Sequence, residues 1–137
     1  PYQLIGGYDA SFSKRLIIGE DVNPFRPMSD LPTVDELVDG LKYYLDSTNK
    51  HNLKTFVGTL LPIEGWRTYA DFREVMKNEY NDWIRNNTDV IDFDLAVRNP
   101  NRPAAFGEGM DSGDHLHPSE KAYEQMAKTA YIKLTNK

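Results

Sequence analysis

The chain contains no cysteine, which excludes disulfides, thiolate metal sites and a cysteine nucleophile. It does not fix the compartment, because many secreted proteins also lack cysteine. Long hydrophobic runs are absent too, and no stretch approaches the roughly 18–20 apolar residues of a membrane-spanning helix. A basic excess is missing: Lys and Arg number 16 against 21 Asp and Glu, a net charge of −5. That balance disfavours a phosphate backbone, and hence nucleic acid, as the main partner. There is no internal repeat, low-complexity tract or long charge run that would mark a linker. The first residue is Pro1, and the residues after it lack the basic region, apolar stretch and cleavage site of a signal peptide. The chain is therefore read as a processed or excised piece of something longer.

What is present suits one globular domain over residues 1–137. Hydrophobic residues make up 39% and charged residues 27%, ordinary globular usage, and a chain this long buries about 70% of its unfolded surface. The apolar runs Leu16–Ile18, Thr55–Leu61 and Val90–Leu95 read as strands, two of them apolar enough to be covered on both faces. Thr33-Val34-Asp35-Glu36 is a capping box, and the apolar stripe Val34, Leu37, Val38, Leu41, Tyr44, Leu45 predicts a helix after it. Phe72, Val75, Met76, Tyr80, Trp83 and Ile84 predict a second helix. A third opens near Pro118-Ser119-Glu120, with Pro118 in its first turn, and carries Ala122, Tyr123, Met126, Ala127, Ala130, Tyr131 and Leu134. Strands alternating with helices of this length imply βαβ units, a parallel sheet and the α/β class.

Function in such sheets collects in loops beyond the carboxyl ends of the strands. Here these are Glu20–Pro24, Pro62–Trp66 and the long stretch from Arg98 to His117. The densest cluster is Asp111-Ser112-Gly113-Asp114-His115-Leu116-His117-Pro118. An Asp three residues before a His, in a turn ended by Pro, can place both side chains on one side of the loop. The carboxylate then accepts from one imidazole nitrogen and leaves the other free to take a proton from a hydroxyl. On spacing alone three readings stand open. The loop is solvated and its Asp caps the next helix; or Asp and His form the orienter-and-base half of a triad; or Asp114, His115, His117 and Glu120 bind a metal, although no HExxH-type spacing is present.

Four blocks resemble the SGNH (GDSL-type) esterase/lipase family over roughly residues 16–135. The eight residues Asp111–Pro118 match its terminal DSGDHLHP block. Thr59-Leu60-Leu61-Pro62-Ile63-Glu64-Gly65 resembles its TLxPxxG strand end, Asn81-Asp82-Trp83-Ile84-Arg85 its NDWIR helix motif, and Val90-Ile91-Asp92-Phe93-Asp94 its DxVDFD strand. The resemblance implies a three-layer α/β/α, flavodoxin-like fold with a parallel sheet. It implies carboxylic ester hydrolysis by a Ser-His-Asp mechanism, with His117 the base and Asp114 its orienter, and no metal or organic cofactor. Aligning Glu20-Asp21-Val22-Asn23-Pro24 to the family's EGxND block puts Asn23 at the oxyanion. Asp21 and Pro24 depart from that pattern, another register would lose the Asn, and the plain reading of Asn23 is a turn residue before Pro24.

The family's nucleophile block and its oxyanion glycine block have no counterpart here. Gly6-Gly7-Tyr8-Asp9-Ala10-Ser11 contains the right residue types, but no apolar strand is read before it and the order is wrong for a nucleophile elbow. Ser112 belongs to the base block. The expectation is therefore a partial domain without the family's N-terminal strands, supplying the His/Asp half of the chemistry, with an ester of a small molecule, lipid or carbohydrate as substrate. The Leu16–Ile18 strand would be an open edge, so a homo-oligomer, or association with the missing N-terminal segment, is expected. The alternative is an inactive truncated member that acts as a binding module. Trp66 and Phe106 are read as core or surface residues in preference to pocket walls.

Overall fold

The computed structural model describes residues 2–5 and 32–135. Its elements run β1 (Tyr2–Ile5), α1 (Val34–Lys50), β2 (Lys54–Gly58), α2 (Asp71–Asn87), β3 (Val90–Ile91), α3 (Phe93–Val97), β4 (Arg98–Asn99), β5 (Arg102–Phe106) and α4 (Glu120–Thr135). The parallel sheet has the order β1-β2-β3, with Ile5 opposite Val57 and Gly58 opposite Ile91. The α/β class with a parallel sheet is thus the observed one.

Helix α1 begins where its local chemistry directs. Thr33 N–H donates to Glu36 Oε2 at 2.8 Å and Glu36 N–H to Thr33 Oγ1 at 3.2 Å, which satisfies two otherwise orphaned donors of the first turn. Val38 and Leu41 then meet Val57, Tyr80 and Ile84 in one apolar cluster joining α1, β2 and α2. Ile84 has no exposed surface, and burying a side chain of its kind contributes about 1.5–3 kcal/mol. A second cluster joins Val97 of α3, Phe106 of β5 and Ala122 of α4. Successive residues of a strand face opposite ways: Val57 enters the first cluster, and Phe56 faces Thr129 and Ile132 of α4 across a cavity.

Several boundaries differ from the sequence reading. Leu16–Ile18 lies outside the described residues, and the strand beside β2 is Tyr2–Ile5, directly before Gly6, where the sequence pattern predicts none. Strand β2 stops at Gly58 because the Asn81 side chain takes over the backbone of Leu60: Leu60 N–H donates to Asn81 Oδ1 at 2.8 Å and Asn81 Nδ2 donates to Leu60 O at 2.9 Å. The third strand stops at Ile91 instead of Leu95 because Asp92 caps α3, accepting Leu95 N–H at 3.0 Å. The stretch from Arg98 contains the β4–β5 hairpin instead of continuous loop. Its turn is shaped by Asn99 Oδ1, which accepts Asn101 N–H at 2.9 Å. Pro118 precedes α4, outside its first turn; Ser119 closes the helix start, its Oγ accepting Ala122 N–H at 3.2 Å. Tyr123 and Tyr131, expected on the inner stripe of α4, are exposed.

Candidate active site

Three of the sequence blocks meet in one junction at the carboxyl ends of β2 and β3. Arg85 reaches across with Nε 2.7 Å from Asp92 Oδ2 and Nη2 2.7 Å from Asp94 Oδ2. Arg98 Nη1 donates to the same Asp94 oxygen at 3.0 Å. Thr59 donates to Asp92 Oδ1 at 3.0 Å and accepts Asp94 N–H at 2.8 Å. Asp94 is 1% exposed, and burying a carboxylate is costly unless it is paired and hydrogen-bonded. Burial works to raise the Asp92 carboxyl, but hydrogen bonds from Arg85 and Leu95 N–H outweigh it and hold the group below the usual carboxylate range. Lys77 is buried at the same junction, 2.9 Å from Glu74 Oε1 and 3.9 Å from Asp94 Oδ1. With the Asn81 clamp, these contacts fix where the chain leaves each strand. These contacts give the TLxP, NDWIR and DxVDFD motifs a structural role.

The loop between Met110 and Ser119 carries the titratable chemistry. Its neck is closed by an antiparallel bridge between Asp111 and Pro118, by Ser112 N–H donating to His117 O at 3.0 Å, and by Ser119 N–H donating to Met110 O at 2.9 Å. Leu116 is buried and anchors the loop. Inside it, Asp114 divides its two oxygens between two tasks. Oδ1 accepts the N–H groups of His117 at 2.8 Å and Leu116 at 3.0 Å and the hydroxyl of Ser112 at 3.1 Å. Oδ2 lies 2.5 Å from His117 Nδ1. The His117 amide and then its imidazole, with Leu116 N–H, hold the Asp114 carboxyl well below its ordinary range. An ionised Asp114 fixes the neutral imidazole as Nδ1–H and leaves Nε2 as the acceptor. The His117 and Asp114 side chains are 56% and 49% exposed, so among the described residues the pair is not enclosed.

A second pair sits beside the first. His115 Nδ1 is 2.6 Å from Asp111 Oδ2, a contact the sequence reading does not single out, although both residues stand in its densest cluster. Each of the two loop histidines has its own carboxylate, and among the described residues no three His, Asp or Glu side chains converge as a metal site. Asn23 lies outside the described residues. Trp66 and Phe106 are both buried, Phe106 in the second apolar cluster. A cavity of about 440 Å³ lined by Lys54, Phe56, Ile91, Ile132 and their neighbours draws no wall from the 111–118 loop, so it is separate from this chemistry. No described helix is long and apolar enough to cross a membrane.

Comparison with known proteins agrees with this architecture. A solved structure assigned to the lipolytic G-D-S-L family, from Desulfitobacterium hafniense DCB-2, superposes with a TM-score of 0.60 at 17% identity, covering 77% of this chain and 58% of that one. The chain thus spans little more than half the length of the protein it resembles. No curated protein matches the sequence. The family model for GDSL-like lipase/acylhydrolase matches residues 16–130. With most of its length matched, the protein belongs to the GDSL-like lipase/acylhydrolase family of hydrolases.

Proposed function

We propose that this chain carries the base half of a carboxylic ester hydrolase, with His117 as general base and Asp114 as its orienter. The observation that supports it most is the 2.5 Å contact from Asp114 Oδ2 to His117 Nδ1, which occupies one ring nitrogen and leaves Nε2 for a proton acceptor's role in a half-exposed side chain. In the proposed cycle His117 Nε2 takes the proton of a serine hydroxyl as its oxygen attacks the ester carbonyl carbon. The protonated ring then gives that proton to the departing alcohol. Water, deprotonated by the same nitrogen, attacks the acyl-enzyme, releasing the acid and regenerating the serine. Asp114 stabilises the imidazolium in both halves. Asn23 is the proposed oxyanion donor, and losing one such donor costs about 100- to 1,000-fold in rate.

No nucleophile block is readable in the 137 residues, so the serine is proposed to come from a segment joined to this chain or paired along its sheet. The substrate is proposed to be an ester of a small molecule, lipid or carbohydrate. The 137-residue chain alone is expected to give little or no turnover of p-nitrophenyl acetate. Joined to a GDS-bearing segment of the family, it is expected to hydrolyse that ester and to form an adduct with diisopropyl fluorophosphate, and His117→Ala should lower its turnover about 1,000-fold or more. Unaffected turnover in His117→Ala would sink the reading, and an assembled form without adduct or turnover would favour a binding module. Association of the isolated chain is expected in light scattering at tens of micromolar, where a monodisperse monomer counts against it.

A further inference from the structure

His115 stands in a backbone conformation that non-glycine residues rarely adopt, with φ of 60°. Such a residue persists only where its surroundings hold it. Two contacts do so. Asp111 accepts His115 N–H at 3.0 Å through Oδ1, and its Oδ2 meets the imidazole Nδ1 at 2.6 Å. On its other side the ring lies against Gly65, in the loop that follows β2. A Cβ built on Gly65 would stand 2.9 Å from His115 Cγ and 3.0 Å from Cδ2, and Gly65 itself has φ of 95°. The seat is therefore shaped for glycine twice over, by conformation and by space.

The next two amides along the chain, those of Leu116 and His117, are the ones that donate to Asp114 Oδ1. Their direction follows from the left-handed turn at residue 115. Were that turn to relax to the ordinary right-handed region, both N–H groups would swing away. Asp114 Oδ1 would then keep only the Ser112 hydroxyl of its three donors, and its second oxygen would be less firmly aimed at the His117 ring.

We infer that His115 is a positioning residue for the proposed base: seated on Gly65 and tied to Asp111, it holds the turn that aims the Leu116 and His117 amides at Asp114 and so keeps His117 protonated on Nδ1. The inference deepens the hydrolase reading and rests on it for its catalytic meaning. The structural claim is tested without any ester, so its failure is separable from failure of the activity test.

The experiment is a long-range proton–nitrogen correlation on the 15N-labelled full chain, at a pH where the imidazoles are neutral, reading the ratio of Nδ1–H to Nε2–H tautomer at His117. Nuclear Overhauser contacts between the His115 ring protons and the Gly65 α-protons are expected in the parent, and their absence overturns the seat. His115→Ala, which removes the ring and disfavours the left-handed turn, is expected to lower the Nδ1–H to Nε2–H ratio at His117 at least several-fold. His115→Asn keeps a side-chain donor for Asp111 and tolerates a positive φ, and is expected to restore most of the ratio. An unchanged ratio in His115→Ala, or an Asn variant no better than Ala, overturns the proposal. A thermal melt of each variant confirms that the fold is present, and a change in melting temperature alone would leave the His117 ratio where it was, which also overturns it.

Discussion

At the junction beyond β2 and β3, Asp94 is 1% exposed and is held by Arg85 and Arg98. In the 111–118 loop, Asp114 is half exposed and is held by backbone amides and an imidazole. Both are carboxylates with donors on both oxygens or beside them, yet their partners differ in kind. The buried acid faces guanidinium groups, and the Arg85 charge is locked in, chiefly by its hydrogen bonds to Asp92 against the opposing effect of burial. The exposed acid faces an imidazole, a ring that exchanges protons in acid–base chemistry where a guanidinium does not. A change of charge at the junction would strand an ion away from water, whereas water screens the same change in the loop. The molecule thus separates the charges that hold the fold from the charge proposed to change during a reaction.

The comparison breaks most visibly if the junction tolerates loss of a partner. Arg85→Ala should destabilise the chain by about 3–5 kcal/mol in urea unfolding, since it leaves Asp92 and Asp94 short of their shared cation. A loss under about 1 kcal/mol would place the junction with ordinary surface pairs. Next comes Asn81→Ala, which removes both partners of the Leu60 backbone at a site with no exposed surface. About 2–3 kcal/mol is expected from the two unsatisfied groups, with faster amide exchange at Leu60 as the local readout.

Acid titration sharpens the contrast in another way. The Asp92 carboxyl is held below its ordinary range in the folded chain, so its contribution is present above the unfolded value of about 3.9. It is lost as pH falls through the still lower folded value. The stability gap between the parent and Asp92→Asn should accordingly narrow as pH drops below about 4; a gap constant with pH contradicts the assignment. The smallest effect is expected at the loop. His117→Ala should change stability by no more than about 0.5 kcal/mol, and a loss above about 1 kcal/mol would make that histidine part of the framework.

How much of this was legible in the sequence depends on how local each cause is. The start of α1 was readable because a capping box is complete within Thr33–Glu36. The inner face of α2 was only half readable: Tyr80 and Ile84 are buried as the apolar spacing predicts, but Lys77 and Asn81 are buried with them and Val75 is exposed. Hydropathy cannot anticipate a buried polar residue whose partner lies elsewhere in the chain. Asp92-Phe93-Asp94 alternates as a strand would, and only the Arg85 and Thr59 contacts reveal that it turns into α3. The β4–β5 hairpin begins with Arg98-Asn99, too polar and too short to announce a strand. At the candidate site, the three-residue spacing of Asp114 and His117 was enough to suggest their pairing. The four-residue spacing of Asp111 and His115 was not, because its geometry depends on a left-handed residue and on a loop some fifty positions earlier.

Asn81 and Arg85 stand one helical turn apart on α2, about 6 Å along its axis. The strands whose exits they hold, β2 through Leu60 and β3 through Asp92, are neighbours in the sheet, and neighbouring strands lie about 4.8 Å apart. One helix thus ties down the exits of two adjacent strands, through two side chains about one turn apart. One residue inserted between Asn81 and Arg85 would turn one side chain relative to the other by about 100° and shift it by about 1.5 Å. The two contacts could then no longer be made together, whereas an insertion beyond Asn87 would leave their spacing intact.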